Sequence, residues 1–285
     1  MSLQLEIQQL LEQARLANQF DQDVAITDAA DEAAYLVEVA SRAGQAGQRE
    51  RALEFAARRG RGELLGHVLG VVRFMGVELL TDPDCLVPRR ETEIVGRAAV
   101  RQLKALDNAA PRVIDMCCGA GNLGCGIATQ LPGARVWAAD LTPGCVALAR
   151  RNLQHVGVGE RAEVHQGDLF APLRDRGLEH SMDLVVCNPP YISSGRLGAE
   201  RAELLAHEPR EAFDGGPYGL TIHQRVLHDA LEFLRPGGWL MFEFGLGQDR
   251  QLKLLFGRTR GAYVDIGWEQ DAQGGARAAV ARKAD

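Results

Sequence analysis

From Val113 onward, short apolar runs of strand length alternate with segments of helical periodicity. The six runs are RVIDM, RVWAAD, AEVHQGD, DLVVCNPP, GGWLMFEFG and AYVDIGWEQD. Strands that alternate with helices are typical of a mostly parallel sheet that is covered by helices on both faces. We therefore predict the α/β fold class for residues 111–285. Within this region, Thr142-Pro143 predicts a helix start with the Thr142 hydroxyl as its cap.

The first 62 residues show a different pattern. Apolar side chains recur there at helical spacing in three stretches, which include Ile7, Leu36 and Ala56. We predict a small N-terminal helical domain over residues 1–62, which serves substrate recognition or acts as a lid. Residues 63–110 are predicted to be a connecting segment with a β-hairpin-like stretch and the loop PRRETE. Arginines crowd residues 42–61, which fits either a solvated helix face or a docking surface.

Composition excludes several classes of protein. With 46% hydrophobic and 25% charged residues the chain is typical of a globular protein, and its net charge of −6 disfavours a nucleic-acid partner. No apolar run is long enough to span a bilayer, and the first twenty residues do not resemble a signal peptide. We expect a cytoplasmic protein whose six cysteines, none in a CxxC pair, are reduced and hold no metal.

A glycine loop follows the first predicted strand. Gly119, Gly121 and Gly124 form a G-x-G-x-x-G pattern, and Asp140 ends the next strand, as in nucleotide-cofactor sites. The pattern alone fits a dinucleotide, whose pyrophosphate would lie at the helix N-terminus. Asp115, just before the loop, would oppose that anion but could hold the ammonium group of S-adenosylmethionine. We therefore predict S-adenosylmethionine as the cofactor, with a dinucleotide as the disfavoured alternative.

The candidate cofactor residues lie in this loop and at the ends of the strands that follow. Asp140 can accept the ribose hydroxyls, and Asp168 or Leu169 can border the adenine. An ordinary surface carboxylate is the alternative interpretation of Asp168. The complete predicted set is Asp115, Cys117, Gly119, Gly121, Asn122, Asp140, Leu141, Asp168, Leu169 and Asn188.

The segment Asn188-Pro189-Pro190-Tyr191 follows the apolar strand DLVVC, at the edge of the sheet where ligands bind. A planar NH₂ group is a weak nucleophile because its lone pair is delocalised. The side-chain oxygen of Asn188 and the carbonyl of Pro189 can accept its two hydrogens, and the prolines stiffen the loop. Tyr191 offers a flat face for the planar group. We predict these four residues to be catalytic in N-methylation; a glutamine amide, adenine N6, cytosine N4 and guanine N2 all remain open.

Longer segments extend this pattern, and with them the chain resembles the peptide chain release factor glutamine N5-methyltransferases. Residues 62–93, GELLGHVLGVVRFMGVELLTDPDCLVPRRETE, resemble the family's segment that ends in a PRPETE-type loop. Residues 207–220, HEPREAFDGGPYGL, resemble its EPR-x-ALDGG-x-DGL stretch. Asp271, Gly274 and Arg277 match a closing D-x-x-G-x-x-R. The resemblance covers about residues 60–280.

The resemblance implies a seven-stranded, Rossmann-like methyltransferase sheet, S-adenosylmethionine as cofactor and a glutamine in a release factor's GGQ loop as substrate. It implies cofactor contacts at Asp115, Gly119, Gly121, Asp140, Leu169 and Asn188. It places Phe74, Arg89 and Glu91 on the substrate side of the pocket. For these three a framework role, with Arg89 and Glu91 as a loop ion pair, remains the alternative.

The chain departs from the family at three places. Cys117 stands where the loop usually begins with glycine, Arg90 replaces the second proline of PRPETE, and the first sixty residues are hard to match to the family's helical recognition domain. A paralogue that methylates a small-molecule amide or guanidine, such as free arginine, is therefore the main alternative. A nucleic-acid amino-methyltransferase and a catalytically weak binding module are lesser ones. The oligomeric state does not follow from the sequence.

Overall fold

The computed structural model describes residues 2–18, 28–199, 205 and 208–285. His207, the first residue of the segment HEPREAFDGGPYGL, lies outside the described residues. The chain forms two compact units, residues 1–73 and residues 74–285. The domain boundaries that we predict after residues 62 and 110 stay predictions.

The first unit is helical, as predicted. Its helices are α1 (Leu3–Asn18), α2 (Ala29–Ser41), α3 (Gln48–Gly60) and α4 (Leu65–Leu69). Ile7, Leu36 and Ala52 are fully buried in their shared core. Apolar residues at helical spacing therefore face one another across this bundle.

Beyond this bundle the chain forms one small sheet and one large sheet. The small sheet pairs β1 (Val71–Phe74) with β2 (Val77–Leu80). The large one has seven strands, β3 (Arg112–Met116), β4 (Arg135–Asp140), β5 (Ala162–Gln166), β6 (Met182–Cys187), β7 (Leu234–Glu243), β8 (Tyr263–Gln270) and β9 (Ala276–Lys283). Its helices are α5 (Thr92–Lys104), α6 (Asn122–Gln130), α7 (Pro143–His155), α8 (Ser194–Ala199), α9 (Thr221–Phe233) and α10 (Asp249–Gly257).

The strand order in the large sheet is β5-β4-β3-β6-β7-β9-β8. Strands β3 to β7 pair in parallel, whereas β9 runs antiparallel to both β7 and β8. The prediction of a mostly parallel, Rossmann-like sheet is confirmed. The order reverses between β3 and β6, and open α/β sheets bind ligands at the carboxyl edge of such a switch point.

The central strands are buried on both faces. Every residue of β6 is buried, and Ile114, Val185 and Phe242 are fully buried in the core between the sheet and its helices. This burial explains why the sequences of these strands are unbroken apolar runs. Across the described part of the chain, no helix is both long and apolar enough to cross a membrane.

Candidate active site

A cleft opens at the carboxyl edge of the sheet, next to the ends of β3, β4 and β6. Its empty volume is about 750 Å³, which includes space that is open to solvent. Eight of the predicted site residues line it: Cys117, Gly119, Asp140, Leu141, Asp168, Leu169, Asn188 and Pro190. The other lining residues are Leu86, Met116, Ala139, Thr142, Cys145, Pro209, Glu211, Ala212 and Ile222.

The glycine loop joins β3 to α6 in a left-handed backbone conformation. Gly121, the residue before α6, has φ 75°, and a Cβ there would lie 3.1 Å from the Ala149 Cβ. Cys117 has φ 53°, a conformation that favours glycine. The cysteine that replaces the family's first glycine therefore adopts the backbone conformation of a glycine.

Asp140 ties the loop to the end of β4. Its Oδ2 accepts a hydrogen bond from the Gly119 N–H at 2.8 Å. Its Oδ1 accepts from the Thr142 N–H at 3.0 Å and from the Thr142 hydroxyl at 3.1 Å. Thr142 precedes α7, as predicted, but the prediction that its hydroxyl caps this helix is wrong because the hydroxyl donates to Asp140 instead. The carboxylate keeps lone pairs for ribose hydroxyls.

Asp115 lies beneath the loop and does not line the cleft. It is fully buried, and its Oδ2 accepts from the Gly124 N–H at 2.8 Å, which anchors the first turn of α6. Burial, with the charge of Asp140 adding to it, raises the pKa of Asp115 to about 8. The raised pKa favours the protonated carboxyl near neutral pH, whereas the sequence argument took Asp115 as negatively charged. Its contact with a cofactor ammonium group stays a prediction and would require the carboxyl to become exposed.

The outer wall of the cleft is more open. The side chain of Asp168 is 58% exposed and pairs with Arg225 at 2.8 Å. Leu169 is buried and Leu141 is exposed, and with Ile222 they present apolar surface to the cleft. Flat apolar contacts of this kind suit an adenine ring.

Asn188 directly follows β6 and lines the cleft with Pro190. Its side-chain nitrogen Nδ2 donates to the hydroxyl oxygen of Thr92 at 3.1 Å. Thr92, the first residue of α5, is 1% exposed. Because Nδ2 is bonded to Thr92, the oxygen Oδ1 is the amide atom of Asn188 that is left to accept hydrogen bonds from a ligand.

The second half of this loop turns towards the interior. Pro189 is buried, and the Tyr191 hydroxyl donates to Oε1 of Glu243 at 3.1 Å. The Tyr191 carbonyl accepts from Nε2 of Gln248 at 3.0 Å. Neither Pro189 nor Tyr191 lines the cleft, so the flat face of Tyr191 as a substrate surface stays a prediction.

Two ionisable groups in this part of the site have shifted pKa values. Burial raises the pKa of Glu243 to about 7. The charge of Glu243, followed by burial, raises the pKa of the Tyr191 hydroxyl well above its ordinary value. Shifted pKa values cluster at functional sites, so these two groups support a functional role for the loop that contains Asn188.

The three substrate-side residues lie off the cleft lining. Phe74 is buried, and Glu91 directly precedes α5. Arg89 forms an ion pair with Glu208, which is 1% exposed and also accepts from the Val87 N–H at 2.8 Å. The structure thus pairs Arg89 with Glu208, whereas the framework interpretation expected an ion pair with Glu91. Direct contact of these residues with a substrate stays a prediction.

Two predicted cofactor residues besides Asp115 do not line the cleft, namely Gly121 and Asn122 at the start of α6. Some residues that line the cleft were not predicted as site residues, although they lie in or next to motifs of the sequence. Thr142 is two residues from Asp140, and Pro209, Glu211 and Ala212 fall within the EPREA part of the resemblance. Among the described residues no group of three or more His, Cys, Asp or Glu side chains is placed to hold a metal ion.

Known proteins are similar to this chain in sequence and in fold. The family model described as methyltransferase small domain matches residues 95–217. A release factor glutamine methyltransferase of Geobacter sulfurreducens is 38% identical over 218 residues, covering 76% of this chain and 72% of that protein. The enzyme of the same name from Streptomyces coelicolor is 34% identical, with 81% and 80% covered. A ribosomal protein uL3 glutamine methyltransferase of Bradyrhizobium diazoefficiens is also 34% identical, with 71% and 66% covered.

Solved structures share the fold at low identity. The catalytic domain of human METTL16 in complex with a MAT2A 3′UTR hairpin is 18% identical, covers 83% of this chain and 80% of that one, and has a TM-score of 0.57. A methyltransferase from Pyrococcus furiosus is 15% identical, with 84% and 100% covered and a TM-score of 0.52. At these identities the likeness extends to the fold alone.

Proposed function

The chain belongs to the release factor glutamine methyltransferase family, and on this basis we propose that it methylates a glutamine side-chain amide of a peptide chain release factor. The observation that carries the proposal is Asn188 at the cleft, with Nδ2 bonded to Thr92 and Oδ1 left as an acceptor. The cofactor we propose is S-adenosylmethionine. Its role is to supply an activated methyl group on a sulfonium.

The cleft suits this cofactor better than a dinucleotide. None of the described residues that line it is a lysine or arginine, whereas Asp140, Asp168 and Glu211 are acidic. Arg225 offsets the charge of Asp168 but does not line the cleft, so a pyrophosphate would meet no lining lysine or arginine, and a sulfonium or ammonium group would meet favourable charge at Asp140 and Glu211. This distribution of charge supports the choice of cofactor independently of Asp115.

The chain's own residues would bind and align the substrate amide. Oδ1 of Asn188 and the carbonyl of Pro189 would accept its two N–H hydrogens, which localises electron density on the nitrogen. The nitrogen would gain the methyl group as the bond between that methyl and the sulfonium sulfur breaks to leave a neutral thioether, and it would lose one proton to water. Alignment of the two reacting atoms in a stiff loop would supply much of the rate.

A protein glutamine is favoured over a small-molecule amide or guanidine because the relatives described above are named for protein substrates. The uL3 enzyme among them makes a ribosomal protein the second candidate. The N-terminal helical domain over residues 1–62 is proposed to contribute to recognition of the protein.

The test uses purified enzyme with methyl-radiolabelled S-adenosylmethionine. A release factor, ribosomal protein uL3 and a pool of free amino acids and guanidines are offered in parallel. We expect label on the release factor, and its loss when the GGQ glutamine of that factor is replaced. Label on uL3 alone would identify this ribosomal protein, and not the release factor, as the substrate. Label in the small-molecule fraction alone would make the chain a repurposed paralogue and overturn the proposal.

A further inference from the structure

A buried acid lies directly beside the candidate catalytic asparagine. Strands β6 and β7 are paired with Cys187 opposite Phe242, so the next residues, Asn188 and Glu243, follow side by side at the same edge of the sheet. Glu243 is only 4% exposed. A carboxyl group at such a position needs hydrogen bonds or a proton to offset the loss of water.

The two oxygens of Glu243 differ in their surroundings. Oε1 accepts from the Tyr191 hydroxyl at 3.1 Å. Oε2 makes no direct hydrogen bond with any residue that the structure describes. The Thr92 hydroxyl is near enough to lower the pKa of the carboxyl. Oε2 is therefore the oxygen of Glu243 that keeps its full capacity to accept a hydrogen bond.

Thr92 connects this acid to Asn188. Its hydroxyl oxygen accepts from Nδ2 of Asn188, so its single proton must point elsewhere. Thr92 is 1% exposed, which leaves a protein group rather than bulk water to accept that proton. An ionised Glu243 can only accept, whereas a protonated carboxyl can also donate and reverse the direction of this chain of hydrogen bonds.

We propose that Glu243 is a positioning residue for Asn188, which acts through Thr92 and rests on the function proposed above. The carboxylate accepts the Thr92 proton, so Thr92 presents only lone pairs to Asn188. The side-chain amide of Asn188 must then direct its NH₂ group to Thr92 and its oxygen to the cleft. An amide turned the other way would offer the substrate a donor where an acceptor is required.

The charges around Glu243 decide when it is ionised. The groups that face it are Glu91 before α5, the Tyr191 hydroxyl, Arg277 on β9 and, at its backbone carbonyl, His223 on α9. Burial raises its pKa to about 7, with Glu91 adding to the increase and Arg277 opposing it. Burial lowers the pKa of His223 to about 4, so this imidazole is neutral when Glu243 titrates. Turnover should therefore rise as the pH increases through about 7.

Kinetics of paired variants test this role. Thr92→Val keeps the shape of the side chain and removes the hydroxyl, and we expect kcat to fall by about tenfold or more. Thr92→Ser restores a hydroxyl and should rescue most of that loss.

Glu243→Gln should lower kcat and remove the rise near pH 7. Glu232→Gln, in an exposed pair with Arg174, is the control and should keep the wild-type pH profile. Equal kcat in the valine and serine variants, or a wild-type pH profile in Glu243→Gln, would overturn the proposal.

A second measurement needs no substrate and separates this proposal from the proposed function. In protein labelled with ¹⁵N-asparagine, the side-chain signal of Asn188 is assigned by its loss in Asn188→Ser. We expect its Nδ2 protons to exchange slowly with water and to shift with a midpoint near pH 7. The shift should vanish in Glu243→Gln. A signal that does not respond to pH in the wild type would refute the positioning role even if release factors are methylated. A response to pH without methylation of any protein would instead refute the proposed function.

Discussion

The carboxylate of Asp140 accepts a hydrogen bond from the backbone N–H of Gly119 at 2.8 Å, so the end of β4 and the glycine loop are held together. The other carboxylate oxygen accepts from Thr142. Both oxygens therefore face N–H donors, and neither can be replaced by an NH₂ group without a clash of donors.

Asp140→Ala should weaken cofactor binding by about 1–3 kcal/mol, because it removes the acceptor for ribose and releases the loop. Asp140→Asn should weaken it too, since one of its side-chain atoms becomes a donor. Titration calorimetry with S-adenosylhomocysteine measures the effect. Asp265→Ala removes a carboxylate that is 59% exposed and is the control. Unchanged affinity in Asp140→Ala would exclude Asp140 from the site.

Asn188→Ala should leave the fold intact and lower turnover by at least about a hundredfold, the usual loss for a preorganised polar group. Single-turnover assays on the protein substrate measure the chemical step. Asn108→Ala is the matched control, since the Asn108 amide is exposed and bonds Asp183 at 2.9 Å. Wild-type turnover in Asn188→Ala would remove this loop from catalysis.

Cys117 should tolerate glycine and reject a β-branched side chain, because its φ is 53°. We expect Cys117→Val to lower the free energy of unfolding by about 1–2 kcal/mol. Cys117→Gly should stay within about 1 kcal/mol of the wild type, because relief of strain offsets the greater entropy of the unfolded chain. Urea denaturation followed by circular dichroism gives both values. A valine variant as stable as the glycine variant would contradict the left-handed conformation.

The free energy of unfolding should fall as the pH rises from about 4 towards 8. Burial raises the pKa of Asp115 to about 8, whereas an unfolded aspartate titrates near its ordinary value of about 3.9. Between these values the folded state keeps a proton that the unfolded state has released, so stability decreases with pH. Asp115→Asn keeps an acceptor for the Gly124 N–H and should flatten this slope. Glu243, with a pKa of about 7, adds a slope of the same sign, so part of it remains. His223, whose pKa is lowered by burial from 6.5 to about 4, opposes both acids below about pH 6.5, so the fall is steepest above that pH.

Urea titrations at intervals between pH 5 and pH 8 measure this slope. Asp265→Asn, at an exposed carboxylate, should keep the full slope. A slope in Asp115→Asn as steep as in the wild type would show that Asp115 ionises normally.

The parallel part of the sheet could be predicted because its strands are buried on both faces and therefore form unbroken apolar runs. Strand β9 was not predicted. Its sequence, ARAAVARK, is rich in alanine and charge, and neither favours a strand. It is a strand because β7 and β8 offer it backbone partners on both sides. The local sequence of β9 does not reveal its pairing with β7, which is more than 30 residues away in the chain.

The cleft could be predicted where a motif lies at a strand end, as for Asp140 and Asn188. The role of Thr92 could not be predicted, because its contact with Asn188 spans 96 positions in the chain. The raised pKa of Asp115 could not be predicted for a related reason. Sequence gives a carboxylate its ordinary charge, whereas full burial raises its pKa to about 8.

The position of β9 has a consequence for biosynthesis. Although β9 follows β7 and β8 in the chain, it lies between them in the sheet, and Ala278 on β9 pairs with Glu243. A nascent chain thus completes its five parallel strands before the strand that covers the outer edge of β7 has been made. During that interval the edge of β7 is open to pairing with other chains. The positioning acid Glu243 lies on β7, so it is synthesised with that open edge and before the strand that covers it.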